Sequence, residues 1–340
     1  MNYGFVKIAA AIPSVQVADC FYNMRQIEGL MRQAAAKEVQ IIAFPELAIT
    51  AYTCMDLFLQ ETLLRNAEKA LLELVGKTAD LDMMAIVGCP LRSGDQLINA
   101  AVAFQRGEIL GIVPKSYLPN YKEFQEERWF TPASALPDSV IQIGGRIVPM
   151  DSYLLFEYDQ IKVGIEICED LWVPIPPSSE LTMQGANLIV NLSASNELIG
   201  KHAYLRSLIA QQSARCIAGY VYASAGFGES STDLVFGGNG IIAENGVILE
   251  ESERFSMKEQ LVISEIDIEN LMNDRRVNTS FMQGYTNHNL TSATCVPFSL
   301  SKHSLQLTRT IDPHPFTPSG NALKERCEEI FHIQVAGLAK

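Results

Sequence analysis

What the chain lacks narrows its function first. Five histidines are scattered through 340 residues, and seven cysteines stand at 20, 54, 89, 168, 216, 295 and 327. None forms a C-x-x-C pair, so no metal site is expected, and reduced thiols in a cytosolic (cytoplasmic) protein fit better than a disulfide framework. The net charge is −13. A protein with no basic footprint cannot replace phosphate counterions, which excludes nucleic acid as a partner. No apolar run approaches the roughly 20 residues of a membrane helix, so no membrane partner is expected. The amino-terminal stretch has no basic leader ahead of a long apolar segment; residues 4–11 alternate loosely and read as a strand. No G-x-G-x-x-G follows that strand, which removes a dinucleotide-binding fold.

What is present is ample apolar material: 48% of residues are hydrophobic and only 19% charged, enough for a sizeable core. Helical periodicity marks 18–37, 56–76, 178–185 and 200–218, and apolar strands mark 39–44, 83–90, 186–193 and 219–225. Hairpins are expected to turn at Arg106-Gly107, near Asp159-Gln160 and at Asn245-Gly246. Residues 121–150, with Pro132, Pro137 and Gly144-Gly145, read as a long irregular loop of the kind that carries function. Strands outnumber helices and hairpins interleave with them. That pattern favours an α/β fold of two packed mixed sheets flanked by helices. Beyond about residue 290 the composition turns to Ser, Thr and Pro. A body over 1–285, a linker over 286–320 and a helix over 321–340 are expected, the helix stopping without a cap as if the chain were cut.

Three stretches share one pattern, an apolar strand ending on a reactive side chain. They are "IIAFPELAITAY" with Glu46, "GIVPKSYLPNYKEF" with Lys115 and "GIEICEDLW" with Cys168. Taken singly, each has a plain reading: a solvated carboxylate, a surface lysine and a buried small hydrophobe. Together they answer a puzzle set by the third stretch. Cys168 sits among Glu166, Glu169 and Asp170, and neighbouring negative charge disfavours a thiolate. A carboxylate that takes the thiol proton, and an ammonium that stabilises the anions formed, would resolve it.

Phe44-Pro45-Glu46, Pro114-Lys115 and Cys168-Glu169-Asp170 resemble the signature regions of the nitrilase superfamily of carbon–nitrogen hydrolases, over residues 1 to about 280. "KSYLPNYKEFQEERWF", "CEDLWVPIPPSS" and "NLSASNELIGKHAYLR" are similar to the glutaminase domains of glutamine-dependent NAD synthetases. "HPFTPSGNALKERCEEIFHIQVAGLAK" looks like the entry to their ATP-dependent synthetase domain. The resemblance implies a four-layer αββα sandwich. It implies Cys168 as nucleophile, Glu46 as general base and later acid, Lys115 as oxyanion stabiliser, and Glu126 as a second glutamate orienting Lys115 and the substrate amide. Tyr52, Tyr121, Trp172, Ser195 and Lys201 match positions lining a glutamine pocket. Lys201 stands where arginine is common, which keeps the charge but not the bidentate fork. L-glutamine would be the substrate, with no cofactor for its hydrolysis. ATP and Mg2+ would belong to the synthetase domain alone, as partner of this one, within a homo-oligomer. A stand-alone amidase or carbamoylase using the same three residues, and a non-catalytic module on the same fold, remain the rival readings. A Cys–His mechanism is disfavoured, because the nearest histidine, His202, opens a helix.

Overall fold

Strand β1 (Phe5–Ile12) shows how the sequence builds the body. Its Val6, Ile8, Ala10 and Ile12 face one core while Ala9 and Ala11 face another. A strand buried on both faces needs apolar residues at both parities, which explains its loose alternation. The structure is a computed structural model that describes residues 4–287, 292–301, 305–311, 313, 317 and 323–339.

In chain order there follow α1 (Cys20–Ala35), β2 (Ile41–Ala43), α2 (Glu61–Lys77), β3 (Met84–Ser93), β4 (Gln96–Gln105) and β5 (Glu108–Pro114). Then come β6 (Val140–Ile143), β7 (Arg146–Pro149), β8 (Leu154–Tyr158), β9 (Ile161–Ile167), α3 (Pro177–Met183), β10 (Leu188–Ser193) and α4 (Lys201–Cys216). The last elements of the body are β11 (Gly219–Ser224), β12 (Gly240–Glu244), β13 (Val247–Glu251), β14 (Gln260–Asp267), α5 (Ile268–Val277), α6 (Thr279–Asn287) and β15 (Thr294–Pro297). One sheet runs β14-β1-β2-β3-β4-β5 and the other β13-β12-β11-β10-β9-β8-β15. Both are mixed: β1, β2 and β3 are parallel, as are β9, β10 and β11, while the hairpins add antiparallel strands.

The two sheets pack through Ile8, Ile86 and Ala101 on one side and Ile165, Val190 and Val221 on the other. Helices α1 and α2 cover the outer face of the first sheet, with Met24, Ile27, Leu71 and Leu74 against Ile42, Ala85 and Val87. Helices α3 and α4 cover the second, with Leu181, Leu205 and Ile209 against Ile189, Tyr220 and Ile241. Each large apolar side chain so buried contributes about 1.5–3 kcal/mol. The result is the four-layer αββα sandwich. The carboxyl ends of β2, β9 and β10 meet at one end of it, where the Glu46 N–H donates across the sheets to Ser193 O at 3.3 Å.

Three expectations need correction. The second helix begins at Glu61, not at 56; Tyr52–Leu59 forms 3-10 turns broken at Met55, and Leu57 is exposed. The loop at 121–150 contains the β6–β7 hairpin, which turns at Gly144-Gly145 and buries Ile141, Ile143 and Val148. Part of the stretch expected as linker is sheet: β15 pairs in parallel with β8, and Val296, Phe298 and Leu300 are buried at period two. Within that stretch, 288–291, 302–304, 312, 314–316 and 318–320 lie outside the described residues, as do 321, 322 and 340 of the expected terminal helix.

The chain divides into two compact units, Met1–Leu307 and Thr308–Lys340. The second carries α7 (Leu323–Leu338), whose Ile330, Phe331 and Ile333 are all exposed. Among the described residues no helix is long and apolar enough to cross a membrane.

Candidate active site

Glu46 reaches its place because Pro45 ends β2 and the following backbone folds against β3. That approach requires Gly88: a Cβ there would lie 2.2 Å from Leu47 N and 2.5 Å from Pro45 O. The Glu46 carboxylate is buried, with 1% of the residue exposed. Lys115 follows β5 directly and is equally buried; its backbone N–H donates to Asn99 O on the neighbouring strand at 2.9 Å. Glu126 lies on a 3-10 turn, Glu126–Arg128, that turns its side chain inward while Glu127 and Arg128 stay exposed.

These side chains form one network. Lys115 Nζ donates to Glu46 Oε1 at 2.6 Å and to both oxygens of Glu126 at 2.8 Å. Asn99 Nδ2 donates to the same Glu46 Oε1 at 2.6 Å, and the Tyr52 hydroxyl donates to Glu126 Oε1 at 2.8 Å. Glu46 Oε2 is buried with no hydrogen-bond partner among the described residues. A buried acceptor left open is costly unless it has work to do. One oxygen of Glu46 is therefore saturated by two donors and the other is available to take a proton.

Cys168 ends β9 and opens the 3-10 turn Cys168–Leu171. Its φ of +46° is left-handed, a conformation that costs a non-glycine residue of order 1–3 kcal/mol. Asp170 holds that bend. It accepts from the N–H groups of Ile167 (2.9 Å) and Tyr117 (2.8 Å), tying the end of β9 to the segment after Lys115. Burial pushes the Asp170 carboxyl up to about 8, against those backbone donors.

Burial and neighbouring charge both act on the Cys168 thiol. Burial raises the Cys168 thiol far above its ordinary value; Glu46 and Glu126 raise it further, and Lys115 with a backbone hydrogen bond from Ala194 only partly opposes them. Burial disfavours the Lys115 ammonium, yet Glu126 and Glu46 outweigh it and hold the charge. Burial raises Glu126 above the usual carboxylate range against the pull of Lys115. Two carboxylates thus share one cation.

The remaining expected residues divide. Lys201 Nζ lies over the Trp172 ring, 5.2 Å from its centroid, and donates to Asn196 O (3.0 Å) and Oδ1 (2.8 Å). Tyr121, half exposed, donates to both oxygens of Glu169 at 2.9 and 3.0 Å. Ser195 is buried, and its N–H donates to Ser224 Oγ at 3.2 Å; among the described residues no hydrogen bond joins it to the Glu46–Lys115–Glu126 network. Among the described residues no group of three or more His, Cys, Asp or Glu could hold a metal ion.

The profile of the carbon-nitrogen hydrolase family matches residues 7–276. The chain belongs to that family. It is 39% identical over 345 residues to a glutamine-dependent NAD(+) synthetase of Mycobacterium bovis, a match covering 99% of this chain and 51% of that protein. It spans about half the length of the curated relatives it matches. Among solved structures, a glutamine-dependent NAD(+) synthetase from Cytophaga hutchinsonii superposes with a TM-score of 0.70 at 27% identity, over 77% of this chain and 43% of that one. A carbon-nitrogen hydrolase from Helicobacter pylori G27 shares the fold, with a TM-score of 0.66 at 16% identity over 85% and 96% of the two chains.

Two residues of the site escaped sequence reasoning. Asn99 left a signal, since it is the single polar residue within "LINAAVAF" and is buried. Glu229 left none; it lies in "SAGFGESSTD" and accepts from the Tyr52 N–H at 2.8 Å.

Proposed function

We propose that this chain hydrolyses the side-chain amide of L-glutamine to glutamate and ammonia through a γ-glutamyl thioester. The observation that carries the reading is the division of labour on Glu46. Its Oε1 is held by Lys115 and Asn99 while its Oε2 has no partner among the described residues, beside a cysteine that burial keeps protonated.

Glu46 Oε2 takes the thiol proton as sulfur attacks the amide carbon. The oxyanion is stabilised by Lys115 and by the backbone N–H that follows the nucleophile. The carbon–nitrogen bond breaks as Glu46 returns the proton to nitrogen, and ammonia leaves. Water, deprotonated by Glu46, then attacks the thioester; glutamate departs and the thiol is restored. Glu126 keeps Lys115 charged. Lys201 meets the substrate carboxylate, Glu169 with Tyr121 faces its ammonium, and Tyr52, Trp172 and Ser195 shape the pocket.

In the full-length relatives, about half of the protein lies outside the match. To that half we assign the ATP- and Mg2+-dependent amidation of deamido-NAD by the released ammonia. On the same reading α7 belongs to the synthetase part, the stretch before it is the connection, and the whole enzyme works as a homo-oligomer in the cytoplasm. Steady-state hydrolysis of glutamine, aliphatic amides and N-carbamoyl amino acids by this chain tests the reading. Glutamine as the preferred substrate is expected; preference for a simple amide or a carbamoyl compound would overturn it.

A further inference from the structure

Tyr52 lies in a segment of unusual backbone. Ala51, just before it, has φ +68° and ψ 153°, a region almost reserved for glycine, and Met55 has φ +52°. Such conformations persist only where the surroundings over-determine them. Here the fixing group is one carboxylate. Glu229 Oε1 accepts from the Tyr52 N–H at 2.8 Å, and its Oε2 accepts from the Thr53 N–H at 3.0 Å and the Thr53 hydroxyl at 2.6 Å. The Ser230 N–H donates back to Thr53 Oγ1 at 2.8 Å.

The loop that carries Glu229 is itself anchored. The Val15 N–H donates to Phe227 O at 3.1 Å. Gly228, at φ +105°, lies so close to that segment that a Cβ would fall 1.8 Å from Val15 O. From this anchor a continuous path leads to the reacting groups. The Tyr52 ring packs edge-on to Phe236 with centroids 5.8 Å apart, its hydroxyl holds Glu126, and Glu126 holds Lys115 through both oxygens.

We propose that Glu229 is a positioning residue for the amide hydrolysis, acting through Tyr52 to fix Glu126 and with it the ammonium of Lys115. This rests on the glutaminase reading and names a further residue that serves it. Glutamine is nearly the same shape as glutamate, but it replaces one acceptor oxygen by an NH2 group that would face a backbone N–H. A hydrogen bond to a charged group contributes about a factor of ten or more.

The test is a double-mutant cycle in this chain. Glu229→Gln is expected to lower kcat for glutamine about tenfold, and Tyr52→Phe to lower it comparably. In the Tyr52→Phe background, Glu229→Gln should then change kcat by less than about twofold. Effects that multiply, or a wild-type kcat in Glu229→Gln, would overturn the proposal. If Glu229→Gln fails to fold, Thr53→Val removes the hydroxyl's bonds to Glu229 and Ser230, leaves both backbone N–H bonds to Glu229 and is read in the same cycle. Alkylation of Cys168 by iodoacetamide, followed by peptide mass spectrometry, supplies a readout independent of substrate. Its rate should change in Glu229→Gln and not change further in the Tyr52→Phe background, while the exposed Cys295 and Cys327 react as in the wild type. Absence of glutamine hydrolysis by the wild type would sink the glutaminase reading, and the alkylation cycle would still decide the tether.

Discussion

Two lysines are buried in the first sheet, and they are buried differently. Lys7 on β1 pairs with Glu265 on β14 at 3.1 Å and donates to Gln306 O at 2.7 Å. There the ammonium pairs with the Glu265 carboxylate, and the bond to Gln306 fastens a late segment of the body. Lys115 meets two carboxylates, and the cluster keeps two buried acceptor atoms, Glu46 Oε2 and Asn99 Oδ1, without partners among the described residues. A buried ion pair is weak evidence for stability and none for catalysis. The informative feature is the imbalance: an excess of negative charge and open acceptors next to a strained cysteine.

Substitutions separate the two lysines. The largest effect is expected from Cys168→Ala, which should abolish glutamine hydrolysis in a coupled ammonia assay while thermal unfolding stays near wild type. Lys115→Ala should follow, with kcat/KM down by about 10²–10³, the cost typical of a lost oxyanion donor. Lys7→Met should do the reverse. Stability should fall by about 3–5 kcal/mol in urea titrations, because one member of a buried ion pair is removed, while kcat/KM of the folded fraction is unchanged. No second substitution at Glu46 or Glu126 should restore the activity of Lys115→Ala. Equal behaviour of the two lysines would erase the distinction.

Two smaller effects sharpen it. Lys201→Met should raise KM for glutamine about tenfold with a lesser change in kcat, since on the proposed reading it removes a hydrogen bond to the substrate's carboxylate. The least visible effect is spectroscopic. Burial and two carboxylates raise the Cys168 thiol, so a raised value leaves it protonated at neutral pH and lets it ionise only in strong alkali. The difference in thiolate absorbance between wild type and Cys168→Ala should therefore stay flat from pH 6 through pH 9. A step in that range would mean a preformed thiolate.

The convergence of Glu46, Lys115 and Cys168 was legible because each follows an apolar strand, and strand ends converge in layered α/β folds. The turns at Arg106-Gly107 and Asn245-Gly246 were legible for the same local reason, as both dipeptides sit in left-handed backbone that ends one strand and starts the next. What sequence could not supply was burial. Glu126 stands in "EER", and only the 3-10 turn separates its fate from that of Glu127. The role of Gly88 depends on a backbone passing 2.2 Å from where its Cβ would be, a tertiary fact with no local trace. Strand β15 was hidden by composition: Ser, Thr and Pro masked the period-two burial of Val296, Phe298 and Leu300.

The most direct test is covalent. A diazoketone analogue of glutamine should alkylate Cys168 alone, as read by peptide mass spectrometry, with excess glutamine protecting it and Lys115→Ala slowing it sharply. Modification confined to the exposed Cys295 or Cys327, or labelling of Cys168 that glutamine does not slow, would contradict a nucleophile held between Glu46 and Lys115.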